Sequence, residues 1–133
     1  MQTLLAAYGA ALAVVVALDL LWLGLIARSF YQQGIGHLMA ERPNFAVAGL
    51  FYAVFVLGVT VFAVVPPIGS GGWQRAALVG ALFGFFAYAT YDLTNLATLK
   101  GWPIGLTLVD MAWGTFVGAA CAAAGRAVYD RLA

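Results

Sequence analysis

The sequence predicts an all-α membrane protein: four transmembrane helices in an up-down-up-down bundle, built as one domain over residues 1–133. Three observations predict it. Hydrophobic residues make up 65% of the chain. Charged residues make up 8%, against roughly a quarter in a soluble domain. The apolar positions fall into four runs, each close to the roughly 20 residues that carry a helix across a bilayer, and the polar breaks between them are short enough to make successive helices antiparallel.

The first span is expected over residues 4–27. No Lys or Arg precedes it, and it is longer than a signal-peptide core and contains Asp19, so it is expected to remain as a span. The connection over residues 28–43 mixes Phe30, Tyr31, Ile35, Leu38 and Met39 with Gln32, Gln33, His37, Glu41 and Arg42. That mixture suits a short segment lying on the bilayer surface, and Gly34 and Gly36 argue against an unbroken helix there.

The second span, over residues 45–65, opens at Pro43-Asn44 and is stopped by Pro66-Pro67 and the turn Ile68-Gly69-Ser70-Gly71-Gly72. The third covers residues 75–99. Lys100-Gly101-Trp102-Pro103 leaves so little chain that the fourth span, residues 104–126, must return beside the third, with Pro103 near its first helical position. Loop Lys and Arg number three on each side: Arg28, Arg42 and Lys100 against Arg75, Arg126 and Arg131. Their balance leaves orientation open. The side bearing Arg28 and Lys100 is called side B below.

Several classes of function are excluded by what is absent. A net charge of +1 without any Lys/Arg cluster gives no electrostatic footprint for nucleic acid. Cys121 is alone, so neither a disulfide nor a thiolate metal site can form within the chain. His37 is the single histidine and no Glu lies within a span, so no metal site is expected, and Ser29 and Ser70 fall in loops, which argues against a nucleophilic triad.

What remains is a set of intramembrane carboxylates. Asp19 lies late in the first span, Asp92 late in the third and Asp110 early in the fourth, so all three occupy the side B half. At 1.5 Å per residue they sit about 10 Å below the interface. A carboxylate there costs a few kcal/mol, so each needs a partner, a proton or water.

At 100° per residue, Gly80, Gly84, Tyr88, Tyr91, Asp92, Thr94, Asn95 and Thr98 share about half of the third helix, opposite Leu82, Phe83, Phe86, Leu93 and Leu96. On the fourth, Thr107, Asp110, Gly114, Gly118, Cys121 and Gly125 share one face, away from Val109, Ala112, Phe116 and Ala119. The spacings Gly80-xxx-Gly84 and Gly114-xxx-Gly118 allow the two backbones to meet closely on side A. Toward side B the same faces carry larger polar groups, a pocket-forming arrangement.

Asp92 and Asn95 are the expected central contacts of that pocket. Asp19 and Asp110 are their partners, with Trp22, Tyr52, Tyr88, Tyr91 and Trp113 around them. Arg28, His37 and Lys100 are the candidate countercharges. Trp22, Trp73, Trp102 and Trp113 lie mostly near predicted helix ends, where interfacial anchoring is the plainer role. Asp19-Leu20-Leu21-Trp22 and Asp110-Met111-Ala112-Trp113 repeat one spacing, though two matching letters carry little weight.

Asp19-Leu20-Leu21-Trp22-Leu23-Gly24, the stretch from Tyr88-Ala89-Thr90-Tyr91-Asp92-Leu93-Thr94-Asn95 to Lys100, and Asp110-Met111-Ala112-Trp113-Gly114 together resemble the bacterial predicted-membrane-protein family known as domain of unknown function 2177. The resemblance covers nearly the whole chain, and Tyr-Asp-Leu-Thr-Asn is its most specific part. It implies a multi-pass protein of the bacterial inner membrane. It supplies no activity, substrate or cofactor.

The functional expectation is therefore a pocket that binds a small molecule, lipid or ion within the membrane, with proton-linked transport as an extension that would need a homodimer to enclose a path. Two other readings stay open. One is a membrane enzyme acting on a lipid, with an aspartate as general base and Lys100 or Arg28 at the head group. The other is a structural or assembly protein whose aspartates fix helix register.

Overall fold

The computed structural model describes residues 1–66 and 72–133. The expected turn over residues 66–72 lies mostly outside them. Four helices are long and apolar enough to cross a membrane. α1 (Gln2–Leu21) continues through a π-helical turn at Trp22–Ile26. α2 (Arg28–Ile35) is short and ends in a 3-10 turn at Gly36–Leu38. α3 (Phe45–Val59) also closes on a π-helical turn, Thr60–Val64. α4 (Gly72–Thr98) and α5 (Ile104–Leu132) are the long pair. The result is an all-α, up-down-up-down membrane bundle.

Local chemistry accounts for the element ends. The Asn44 side chain accepts from the backbone N–H of Val47 at 3.1 Å, filling one of the donors that a helix start leaves open. Gly101, at φ +74°, makes the tight reversal between α4 and α5, a conformation that costs other residues a Cβ clash. Pro103 caps α5 from extended backbone and sits just before the helix rather than inside it. Gly34 is tolerated within α2, and the break falls at Gly36.

Leu20, Leu25, Phe45, Phe62, Phe86, Ile104 and Phe116 all face outward. Water would reject such a surface, while hydrocarbon is matched to it. Inside, the contacts are made by small residues. Ala7, Ala11, Val15 and Asp19 form a buried seam along α1, one every fourth residue. It meets α5 at Gly125, where an added Cβ would stand 3.2 Å from the Ala7 carbonyl oxygen and 3.4 Å from the Ala11 Cβ. The whole small and polar face of α5, from Thr107 through Gly125, is buried.

The α4–α5 contact is backbone on backbone. A Cβ on Gly80 would strike the Gly118 carbonyl, and one on Gly84 would strike that of Gly114 while coming within 3.2 Å of the Gly118 Cα. Toward side B the pair opens, and the Tyr88 ring packs flat onto Gly114. α3 enters the core through Phe55, Val56 and Val59, with Ala53 just ahead of them accepting from the Tyr8 hydroxyl at 2.9 Å, while most of its first turns are exposed.

The polar face expected on α4 is narrower than its wheel suggested. Thr94 and Thr98 are exposed and donate to the carbonyls four residues back, Thr90 at 2.5 Å and Thr94 at 2.8 Å. A hydroxyl that bonds its own helix needs no pocket, so threonine can face lipid. At the opposite end Arg126 closes α3: its Nη1 donates to the carbonyls of Val64 at 2.8 Å and Pro66 at 3.3 Å.

Candidate functional site

Asp19 is buried on α1 and receives two donors from other helices. The Tyr52 hydroxyl of α3 approaches at 2.5 Å and the Trp113 indole Nε1 of α5 at 2.7 Å. Each carboxylate oxygen thus has one hydrogen bond, the arrangement a buried charge requires.

Asp110 is buried on α5 and is served from α2. The Tyr31 hydroxyl donates to its Oδ1 at 2.7 Å, and Tyr31 in turn accepts from the Trp22 indole at 3.1 Å. The path from sequence to this contact runs through the π-helical turn after α1. There the Ala27 N–H bonds the Trp22 carbonyl at 2.7 Å, and the widened turn redirects the chain into α2. α2 then lies over the side B end of the bundle, with Ala27, Tyr31, Trp102 and Leu106 packed together beneath it. Gly34 permits the approach: an added Cβ would come within 2.9 Å of Leu106 Cδ1 and 3.4 Å of Pro103. Burial first, and the Asp110 carboxylate as well, outweigh the Trp22 donor and hold the Tyr31 phenol above its ordinary value.

Asp92 is completely buried on α4. Neither of its oxygens, nor Oδ2 of Asp110, receives an N–H or O–H from another group. These three carboxyl oxygens are buried with no donor to fill them.

Beside these carboxyls opens a cavity of about 1080 Å³. Its polar wall is made by Asp19, Asp110, Tyr31, Tyr52, Tyr88 and Tyr91, with the Trp113 ring between the two aspartates, and the remaining lining is largely apolar. Leu20 and Leu23 of α1 and Phe45 and Phe51 of α3 line it while facing outward, so the cavity is open between α1 and α3. That gap lies where most of the first turns of α3 are exposed.

The residues singled out from sequence divide accordingly. Asp19, Tyr52, Tyr88, Tyr91, Asp110 and Trp113 line the cavity. Trp22 lies behind Trp113, the two indoles stacked with centroids 4.4 Å apart. Asp92 and Asn95, expected at the centre, are not in the lining: Asp92 stands behind Asp110. Among the countercharge candidates Arg28 lines the cavity, whereas His37 is exposed against the turn at Gly101 and Lys100 is exposed. The ion pair among the described residues is Arg126 with Asp130, at the far end, so none of the three neutralises an aspartate. No group of three His, Cys, Asp or Glu side chains comes together as a metal-holding set among the described residues.

Sequence reading missed Tyr31, Trp102 and Leu106 as site residues. For Tyr31 a signal existed: Ala27, Tyr31 and Ile35 recur every fourth position, which on a surface helix marks the inward face. Trp102 is not an interfacial anchor. It is buried, donates from Nε1 to Thr107 Oγ1 at 3.0 Å, and meets the Tyr91 ring edge-on at 5.8 Å. Trp22 and Trp113 likewise spend their indole N–H groups on the carboxylate network, while Trp73 stays exposed as an anchor would.

No curated protein and no solved structure matches the chain. A family model described as predicted membrane protein (DUF2177) matches residues 4–127, a range that holds all three Asp-bearing stretches, and the chain belongs to that family.

Proposed function

We propose that this membrane protein binds an amphiphilic molecule, a lipid or a lipid-sized compound, in the side B cavity, with Asp19 and Asp110 as its polar contacts. One observation carries the reading: an opening between α1 and α3 leads from the lipid-facing surface to two buried carboxylates. Pockets for drug-sized ligands measure roughly 300–1,000 Å³, so a volume of about 1080 Å³ suits a molecule with a chain as well as a head. Apolar walls favour the chain. Tyr52, Tyr88, Asp19 and Asp110 supply directional hydrogen bonds, and Arg28 adds a charge to the lining.

Such a ligand partitions into the bilayer and enters sideways, without crossing the polar cap made by α2. We place the protein in the inner membrane of a bacterium, because bacterial outer membranes are spanned by β-barrels and this chain is helical.

Native mass spectrometry of the full chain released from mild detergent tests the reading. A bound mass should survive purification of the wild type and vanish in Ala48→Trp, which fills the cavity from α3. Circular dichroism and elution volume establish that the variant is folded. A wild type that retains no such mass, and takes up none from added lipid, contradicts the proposal.

A further inference from the structure

The Asp92–Asp110 pair gives this cavity a chemical preference. Three buried oxygens around it lack any donor from other residues. Every charged or titratable group that faces the pair is an acid or a neutral phenol: Asp19 from α1, Tyr31 from α2, and Tyr88 and Tyr91 from α4, with Tyr52 of α3 spent on Asp19. Arg28 is the cation in the lining, and it pairs with neither carboxyl. The floor of the cavity therefore offers acceptors and ring faces and lacks a positive charge.

We infer that the occupant is an amphiphile bearing a protonated amine, which seats on Asp110. The inference rests on the reading that the cavity takes an amphiphile, and it names the class. An ammonium carries three donors and no acceptor, the complement of the unfilled Oδ2 of Asp110, the carboxyl of the two that lines the cavity. The rings of Tyr88, Tyr91 and Trp113 beside Asp110 hold a cation by their faces. The tail leaves between α1 and α3 into hydrocarbon.

The test uses decylamine, decanol and decanoate as probes of equal chain length on the purified full chain in detergent, with binding read by native mass spectrometry. Decylamine should bind at least about tenfold more tightly than decanol, the effect of one charge-assisted hydrogen bond, and decanoate should bind worst. Asp110→Asn should lose the preference for the amine. Asp92→Asn, at a residue outside the cavity lining, should keep it. Equal binding of decylamine and decanol by the wild type overturns the inference and leaves the cavity as an amphiphile site. Failure of all three probes overturns both readings. A folded Asp110→Asn variant that keeps the preference overturns the contact given to Asp110, and the wild-type comparison stands even if either variant misfolds.

Discussion

The indoles of Trp22 and Trp113 lie face to face, their planes 8° apart. Each closes an Asp-x-x-Trp stretch, on α1 and on α5. Each also serves the other stretch: Trp113 donates to Asp19, and Trp22 donates to the Tyr31 hydroxyl that bonds Asp110. Because the two helices run in opposite directions, the repeated spacing meets itself across the stack. Two buried carboxylates are thereby fixed to one pair of rings.

Trp113→Phe keeps an aromatic surface against Trp22 but removes the N–H that bonds Asp19. The carboxylate then retains Tyr52 alone. Intramembrane hydrogen bonds contribute modestly, so the variant should lose about 1–2 kcal/mol of stability. Titration with a denaturing detergent, followed by circular dichroism, measures it. A midpoint equal to that of the wild type speaks against the bond.

Tyr31 provides a pH readout. Its phenol ordinarily titrates at 10.0, and burial beside Asp110 raises that value in the folded protein. A raised value means that docked α2 holds the proton more tightly than free chain does. The contribution is complete below pH 10.0 and fades as pH climbs toward the folded value. A difference titration of tyrosinate absorbance, wild type minus Tyr31→Phe, should show no residue ionising near the ordinary value. An ordinary phenol in that difference would place Tyr31 in water.

Gly84 and Gly9 look alike in sequence, both within apolar helices, yet should respond oppositely to alanine. A Cβ at Gly84 meets the Gly114 carbonyl and Gly118 Cα, backbone that cannot rotate aside. Overpacking of this kind costs about 1–3 kcal/mol. Around Gly9 nothing lies within 4 Å, so Gly9→Ala should cost nothing and gains helix propensity of about 0.5–1 kcal/mol. Unfolding midpoints of the two variants on the same side of the wild type would refute the packing of α4 on α5.

Much of this fold is legible in the sequence because lipid imposes simple rules. Length and hydropathy locate the spans, and the Gly80, Gly84, Gly114 and Gly118 spacing identifies the seam that the backbones share. The wheel places the α5 face correctly since every residue on it is small or polar. On α4 it places too much, because Thr94 and Thr98 are polar by composition yet satisfied by their own helix. Asp92 reads as the centre of the site from its neighbours in sequence, while burial sets it behind Asp110, a relation between two helices that neither pattern contains. Tyr31 is hidden for a related reason. Its role depends on how a π-helical turn aims α2, and backbone irregularity of that kind has no simple residue signature.

Arg126 illustrates a contact that charge counting treats as topology and the structure treats as a cap. Its Nη1 reaches the Val64 and Pro66 carbonyls, groups at the end of α3 that the π-helical turn leaves without helical partners. A cation there also complements the negative end of the helix. The same side chain approaches Asp130 at 2.9 Å through Nε and lies over the Tyr129 ring at 5.3 Å. Asp130 is 44% exposed, and an exposed helical pair contributes little. Asp130→Asn should therefore change stability by no more than about 0.5 kcal/mol. Arg126→Met keeps the apolar stem, strips the carbonyls of their donor, and should cost about 1–3 kcal/mol. Lysine at this position offers a single charged nitrogen in place of the planar fork, and should recover only part of the loss. Hydrogen exchange over residues 60–66 reports the cap directly: protection should fall in Arg126→Met and hold in Asp130→Asn. If the two variants lose protection alike, the ion pair and not the carbonyl contact is what secures the end of α3.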